Sequence, residues 1–137
     1  MGKYEGLPTE LTRLAKLLGA DKLGKFNAKT KKYSVEITNL NPEALSFYKF
    51  AHGGAIGALF DDTVGMCIYF CYGINSAITA SQTVKFINVL SMKSPFVITC
   101  WIDREGKKTG DEIIMKGEAT TRSGKVIATM EAVWIMR

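Results

Sequence analysis

His52-Gly53-Gly54-Ala55-Ile56-Gly57-Ala58-Leu59-Phe60-Asp61-Asp62-Thr63-Val64-Gly65-Met66-Cys67-Ile68-Tyr69-Phe70 is an apolar run broken by two adjacent acids. Its length and composition predict a helix over residues 53–72, ending near Gly73 and buried on most of its sides. A carboxylate in such a helix is costly unless it is paired, hydrogen-bonded or turned into a cavity. Asp61 and Asp62 are therefore the first candidates for a functional site.

On a helical projection, Gly54, Gly57, Asp61 and Gly65 share one stripe. Each glycine inside a helix costs up to about 1 kcal/mol relative to alanine, and what it allows is close approach. Asp61 is thus expected on the floor of a groove, facing another backbone, a helix or a ligand. Asp62 points about 100° away. Gly53 and Gly54 fall in the first turn, where N–H groups lack intrahelical acceptors and sit at the positive end of the helix dipole. Two such groups can polarise a carbonyl and hold an oxyanion.

Gly53 lies eight residues before Asp61, about 12 Å along the axis. One small reacting centre cannot touch both. Two such helices paired antiparallel about a two-fold would bring each Asp61 toward the other chain's Gly53, making two equal sites. Structural roles compete with each of these readings. Asp61 can be a salt-bridged or hydrogen-bonded structural acid, the glycines can serve helix–sheet packing, and His52 can be a cap rather than a base.

The rest of the composition narrows the class. The chain has 137 residues, 47% hydrophobic and 23% charged, as expected for one globular domain with a real core. The net charge is +5, but the lysines are scattered rather than gathered on one element, which argues against a nucleic-acid surface. The short run Lys29-Thr30-Lys31-Lys32 reads as a solvated edge. A positive balance still suits a polyanionic small ligand such as a nucleotide or coenzyme A. Cys67, Cys71 and Cys100 suggest reduced, buried thiols rather than a disulfide framework. A single histidine argues against a His-rich metal site, and no cofactor is expected. The start Met1-Gly2-Lys3-Tyr4-Glu5-Gly6 shows no secretory signal, and Gly6 stands where a myristoylation site prefers Ser or Thr. Ala55 to Ile74 could span a bilayer by length, but Asp61 and Asp62 sit near its middle, so no membrane insertion is expected. A cytoplasmic protein is expected, with an organelle as the alternative.

Pro8 to Gly19, within an N-terminal segment 1–20, reads as an amphipathic helix with Leu11, Leu14, Leu17 and Leu18 at helical spacing, Thr9 as N-cap and Gly19 as stop. Tyr33, Val35 and Ile37 alternate in a strand over 32–40, which Asn41-Pro42 ends. Residues 43–51 connect it to the long helix. After Gly73 the period becomes extended. Strands are predicted over 77–90, 95–104, 111–121 and 125–136, separated by turn signals at Ser94-Pro95, 104–110 and 122–125. Short turns imply an antiparallel meander. The sheet needs a cover for its apolar face, and the long helix supplies it, so the expected class is α+β with the sheet curling around one central helix.

His52-Gly53-Gly54, Leu59, Asp61 and Gly65 together resemble the HGG-x(4)-L-x-D-x(3)-G signature of the hotdog-fold acyl-CoA thioesterases, nearest to the phenylacetyl-CoA and medium/long-chain acyl-CoA type. The resemblance covers roughly residues 32–136 as a single domain. It implies a helix wrapped by a curved antiparallel sheet, and dimers or dimers of dimers with sites at the interface. It further implies hydrolysis of an acyl-CoA thioester, with coenzyme A present only as part of the substrate. Carried onto this chain, the Gly53 N–H would polarise the carbonyl, and Asp61 of the opposite subunit would act as general base or nucleophile. Thr79 would assist. His52, Gly54, Ser81 and Phe86 would line the substrate site, and the loop Gly106-Lys107-Lys108-Thr109 would hold the coenzyme A phosphates. Relatives usually carry an Asn five or six residues before the HGG, where this chain has Ser46-Phe47. Two alternatives stay open: a non-catalytic acyl-CoA or lipid-binding hotdog protein, and a hotdog hydratase or dehydratase, for which the single His52 lies outside the Asp61 stripe.

Overall fold

The glycine-led apolar run forms a 20-residue helix, α2, over Gly53–Tyr72, and the rest of the molecule is arranged around it. The computed structural model describes residues 13–38, 40, 46–47, 50–73, 75–91 and 94–137. The expected N-cap Thr9, Leu11, the strand stop Asn41-Pro42 and much of the 43–51 connection lie outside these residues.

Before α2 come α1 (Arg13–Leu18), β1 (Lys25–Asn27), β2 (Lys32–Ile37) and two short paired strands, β3 (Ser46–Phe47) and β4 (Phe50–Ala51). After it come β5 (Ala77–Phe86), β6 (Phe96–Arg104), β7 (Glu112–Thr121) and β8 (Val126–Met136). Six strands make one antiparallel sheet in the order β1-β2-β6-β7-β8-β5. The four late strands are therefore not a simple meander in chain order. Only β6, β7 and β8 follow one another; β5 crosses to the far side and pairs β8, while β2 takes the place beside β6. The length of the connection between β5 and β6, residues 87–95, permits this crossing.

β1 is an addition that the apolar pattern of the sequence does not signal. It forms a hairpin with β2 because Asn27 Oδ1 accepts from the N–H groups of Lys29 (2.9 Å) and Thr30 (3.1 Å), closing the turn locally. The basic run 29–32 makes up most of this turn and the first residue of β2. Lys31 pairs with Glu105 at 3.1 Å and Lys32 Nζ lies 4.8 Å from the Trp101 ring centroid.

α2 packs against β2, β5, β6 and β7 and against α1. Leu59, Phe60 and Val64 are wholly buried, and each contributes about 1.5–3 kcal/mol by leaving water. Thr63, the buried polar residue of this face, returns its hydroxyl to Leu59 O at 2.6 Å. Across from them lie Tyr33, Ile37, Phe96, Ile98, Ile113, Met115 and Ile127. α2 is long and apolar enough to cross a bilayer, but here its apolar surface is the core of the domain. Gly73 ends it at a positive φ of 100°, with its N–H on Tyr69 O at 2.9 Å. Cys67 and Cys100 are buried and Cys71 is half-buried, and none of the three is in a disulfide. A hydrogen bond with Cys71 and burial push the Cys67 thiol up, and burial does the same to Cys100.

Candidate functional site

The glycine stripe of α2 faces β5 and the end of β8. The stripe glycines Gly57 and Gly65, and Gly53 at the start of the helix, each meet a neighbour on these strands, whereas a Cβ on Gly54 would meet the side chain of its own cap, His52. A Cβ on Gly53 would lie 3.2 Å from Phe86 Cζ, one on Gly57 3.9 Å from Gln82 Nε2, and one on Gly65 3.5 Å from the Trp134 ring. Between them, Asp61 Oδ1 accepts a hydrogen bond of 2.9 Å from Thr79 Oγ1. The glycines let the helix lie close to the strand, and Asp61 is the acidic side chain on that face. Asp62 points away from the stripe, close enough to Tyr33 to help hold its hydroxyl in the neutral form, although burial is the larger cause.

A β-bulge between Thr79 and Ser81 shapes this side of the site. Thr79 lies opposite Trp134, whereas Ser81 lies opposite Val133, so one residue of β5 is unpaired. The shift turns Gln82 rather than Ser81 toward the helix: Gln82 Nε2 donates to Gly57 O at 3.0 Å. Ser81 is exposed on β5. Gln82 is a residue the sequence reading missed. A strand alternation that pairs Thr79 with Ser81 cannot reveal it, because a bulge leaves no local signal here.

At the helix N-terminus the two glycines differ. His52 is the N-cap, with φ −69° and ψ 130°, and its Nδ1 accepts from the Gly54 N–H at 2.9 Å. The Gly54 N–H is therefore occupied, in contrast to the expectation of two bare donors. The Gly53 N–H has no hydrogen-bond acceptor among the described residues, and the Phe86 ring lies over this glycine. His52 is exposed and the capping role is what its geometry shows.

Beside Asp61 a cleft of about 330 Å³ runs along α2. Asp61, Asp62, Gly65, Met66, Tyr69, Ala77 and Trp134 are among the residues that line it, so two acids share a mainly apolar lining. The loop 106–109 lies elsewhere, at the Tyr72 end of α2. Gly106 is buried, with its N–H on Tyr72 Oη at 3.3 Å. The N–H groups of Lys107 and Lys108 donate to Asp111 Oδ2 at 2.9 and 3.1 Å, and they hold that carboxyl below the usual range. An intramolecular carboxylate thus fills the backbone nest, leaving the exposed side chains of Lys107, Lys108 and Thr109 as the loop's free groups. Asp61 and Tyr72 are eleven residues apart on the helix, about 16 Å along its axis. Within one chain the structure therefore brings together Asp61 and Thr79, and separately Gly53, Gly54, His52 and Phe86, with the lysine loop apart from both. Among the described residues no three His, Cys, Asp or Glu side chains converge as metal ligands.

Chemically, a carboxylate with one oxygen tied to a hydroxyl keeps the other free to take a proton from water or to attack a carbonyl. A helix-terminal N–H supplies the complementary stabilisation of negative charge.

Solved structures with the same architecture are found widely. A putative thioesterase, a phenylacetic acid degradation-related protein from Ralstonia eutropha JMP134, superposes with a TM-score of 0.77 at 17% identity, covering 92% of this chain and 91% of that one. The PaaI protein from the phenylacetic acid degradation operon of E. coli gives 0.72 at 18% identity, covering 89% and 86%. A hypothetical thioesterase with coenzyme A from Streptococcus pneumoniae TIGR4 gives 0.69 at 16% identity, covering 82% of each chain. At these identities the likeness is one of fold. No curated protein matches the sequence. A sequence profile of the Thioesterase superfamily matches residues 48–130, which span the stripe of α2, all of β5 and most of the sheet beside it. By that match over more than half its length, and with the wrapped helix of the hotdog fold, the chain belongs to the Thioesterase superfamily.

Proposed function

We propose that this protein hydrolyses the thioester of acyl-CoA, fatty or aryl, to the free acid and coenzyme A. The observation that carries the reading is the Asp61 carboxylate, held by Thr79 on the glycine-lined face of α2 in the lining of a mainly apolar cleft. Coenzyme A in the Streptococcus pneumoniae neighbour supports the carrier.

In this reading Asp61 takes a proton from water as the water oxygen bonds to the thioester carbon. The carbonyl electrons move to oxygen, where the Gly53 N–H stabilises them. Collapse restores the carbonyl and breaks the C–S bond, and the leaving thiolate takes the proton from Asp61. Direct attack by Asp61 through a mixed anhydride is the other route; ¹⁸O found in the Asp61 carboxylate after a single turnover in ¹⁸O-water identifies it, because water attacking the Asp61 carbonyl of the anhydride leaves its oxygen there.

The site needs two chains, and β5 supplies the join. It is an edge strand of the sheet, and Ile78 (52% exposed) and Phe86 (53%) stand uncovered at its two ends. Thr79 and Phe86 lie opposite Trp134 and Ala128, six residues apart on β8, with Thr83 midway opposite Glu131. A two-fold through Thr83, pairing β5 with its copy, sets Thr79 opposite the partner's Phe86. Asp61, bonded to Thr79, then stands beside the partner's Gly53, which lies under that Phe86. The Lys107 and Lys108 side chains remain available to coenzyme A phosphates. A homodimer, alone or doubled into a tetramer, follows.

The test is thiol release from short, medium, long and aryl acyl-CoAs by wild type and by Asp61→Asn. Release by wild type alone supports the assignment and gives the acyl preference. Equal release by the variant sinks the role of Asp61. Binding of acyl-CoA by wild type without release replaces the hydrolase with a binding protein.

A further inference from the structure

Two side chains of β5 reach the glycine stripe, one on each side of the bulge. Thr79 bonds the Asp61 carboxylate and Gln82 Nε2 bonds Gly57 O. In a regular strand, residues three apart point to opposite faces. The bulge absorbs one residue, so here both point at the helix.

Gly57 O is also the helical acceptor for the Asp61 N–H, four residues on. Gln82 therefore holds the turn that carries Asp61, and holds it at a glycine, where the helix is least stiff. The carboxamide can face only one way. Gly57 O accepts and cannot donate, so Nε2 must be the atom that meets it. This leaves Gln82 Oε1 buried and, among the described residues, without a hydrogen-bond partner. A buried, unpaired acceptor destabilises a fold, and an apolar side chain of the same shape avoids the loss. Packing alone would therefore favour an apolar residue at this position.

We infer that Gln82 is a positioning residue for Asp61: its carboxamide fixes the Gly57–Asp61 turn to the edge strand while Thr79 fixes the carboxylate. The inference rests on the hydrolase reading above. With both pins in place, Asp61 is set relative to β5, the strand that meets the second subunit, and not only relative to its own helix.

The test is Gln82→Met, which keeps length and apolar bulk and removes the donor. The expected result is a melting temperature equal to or above that of wild type, with kcat lowered about ten-fold or more and KM for the same acyl-CoA within about two-fold. In an Asp61→Asn background the same change should produce no further loss, because the two act through one group. Wild-type kcat in Gln82→Met overturns the inference. So does a variant that fails to fold or melts well below wild type, since that makes the contact structural. An inactive wild type overturns the hydrolase reading and this role with it, which separates the two failures.

Discussion

Thr79 Oγ1 donates to Asp61 Oδ1 at 2.9 Å, tying the middle of the buried helix to the free edge of the sheet. The bond joins residues 18 apart in the chain, and it decides where the acidic group of the site stands. Thr79 is itself exposed, so the bond contributes little to stability and much to geometry.

Thr79→Ala should lower kcat about ten-fold while changing stability by no more than about 1.5 kcal/mol. Thr79→Ser keeps the hydroxyl and should retain most of the activity. Steady-state kinetics beside a urea titration distinguish the two effects. Equal kcat in Ala and Ser variants would show that the hydroxyl does not matter.

His52→Ala removes the Nδ1 acceptor of the Gly54 N–H. The loss of an N-cap costs about 0.5–2 kcal/mol. His52→Asn offers a shorter side-chain acceptor and should recover much of that loss. Activity should follow the cap rather than the imidazole. An Asn variant with restored melting temperature and no turnover would reassign His52 to the chemistry.

Gly65→Ala places a methyl 3.5 Å from the Trp134 ring, an ordinary contact, inside a helix. It should stabilise the protein by up to about 1 kcal/mol. The same methyl enters the wall of the cleft beside Asp61. Turnover should shift toward smaller acyl groups, read as the ratio of kcat/KM for short and long acyl-CoAs. An unchanged ratio would place the acyl group outside this cleft.

Asp111 titrates below the usual carboxylate range because two backbone N–H groups favour its charged form. A depressed folded pKa adds stability above the unfolded value, near 4, and that stability is lost as pH falls through the folded value. Asp111→Asn should therefore lower the urea midpoint at pH 7 and flatten its fall with acid, so that the two proteins converge at the lowest pH. Curves that stay parallel would exclude Asp111 as a source of the acid dependence.

Much of this protein was legible locally. The apolar run with glycine at both ends defined α2, and the alternation of Tyr33, Val35 and Ile37 defined β2, because burial on one face imposes a period on neighbouring residues. The late strands were legible by β-branched residues and the turns between them. The stripe of Gly54, Gly57, Asp61 and Gly65 follows from helical spacing alone, and Thr79 from resemblance to a family.

What met that stripe was decided only in three dimensions. The order β7-β8-β5 puts the edge strand against the helix, and strand order depends on long-range pairing that no local period encodes. A one-residue bulge turned Gln82 inward in place of Ser81. Asp111 took the backbone donors of the lysine loop, and His52 took the Gly54 N–H. The sequence by itself determined which elements form and which acid is costly to keep, because propensity and burial period act between near neighbours. The tertiary structure decided which donors and acceptors are already satisfied, because each hydrogen bond needs both partners within reach and only the fold sets that distance.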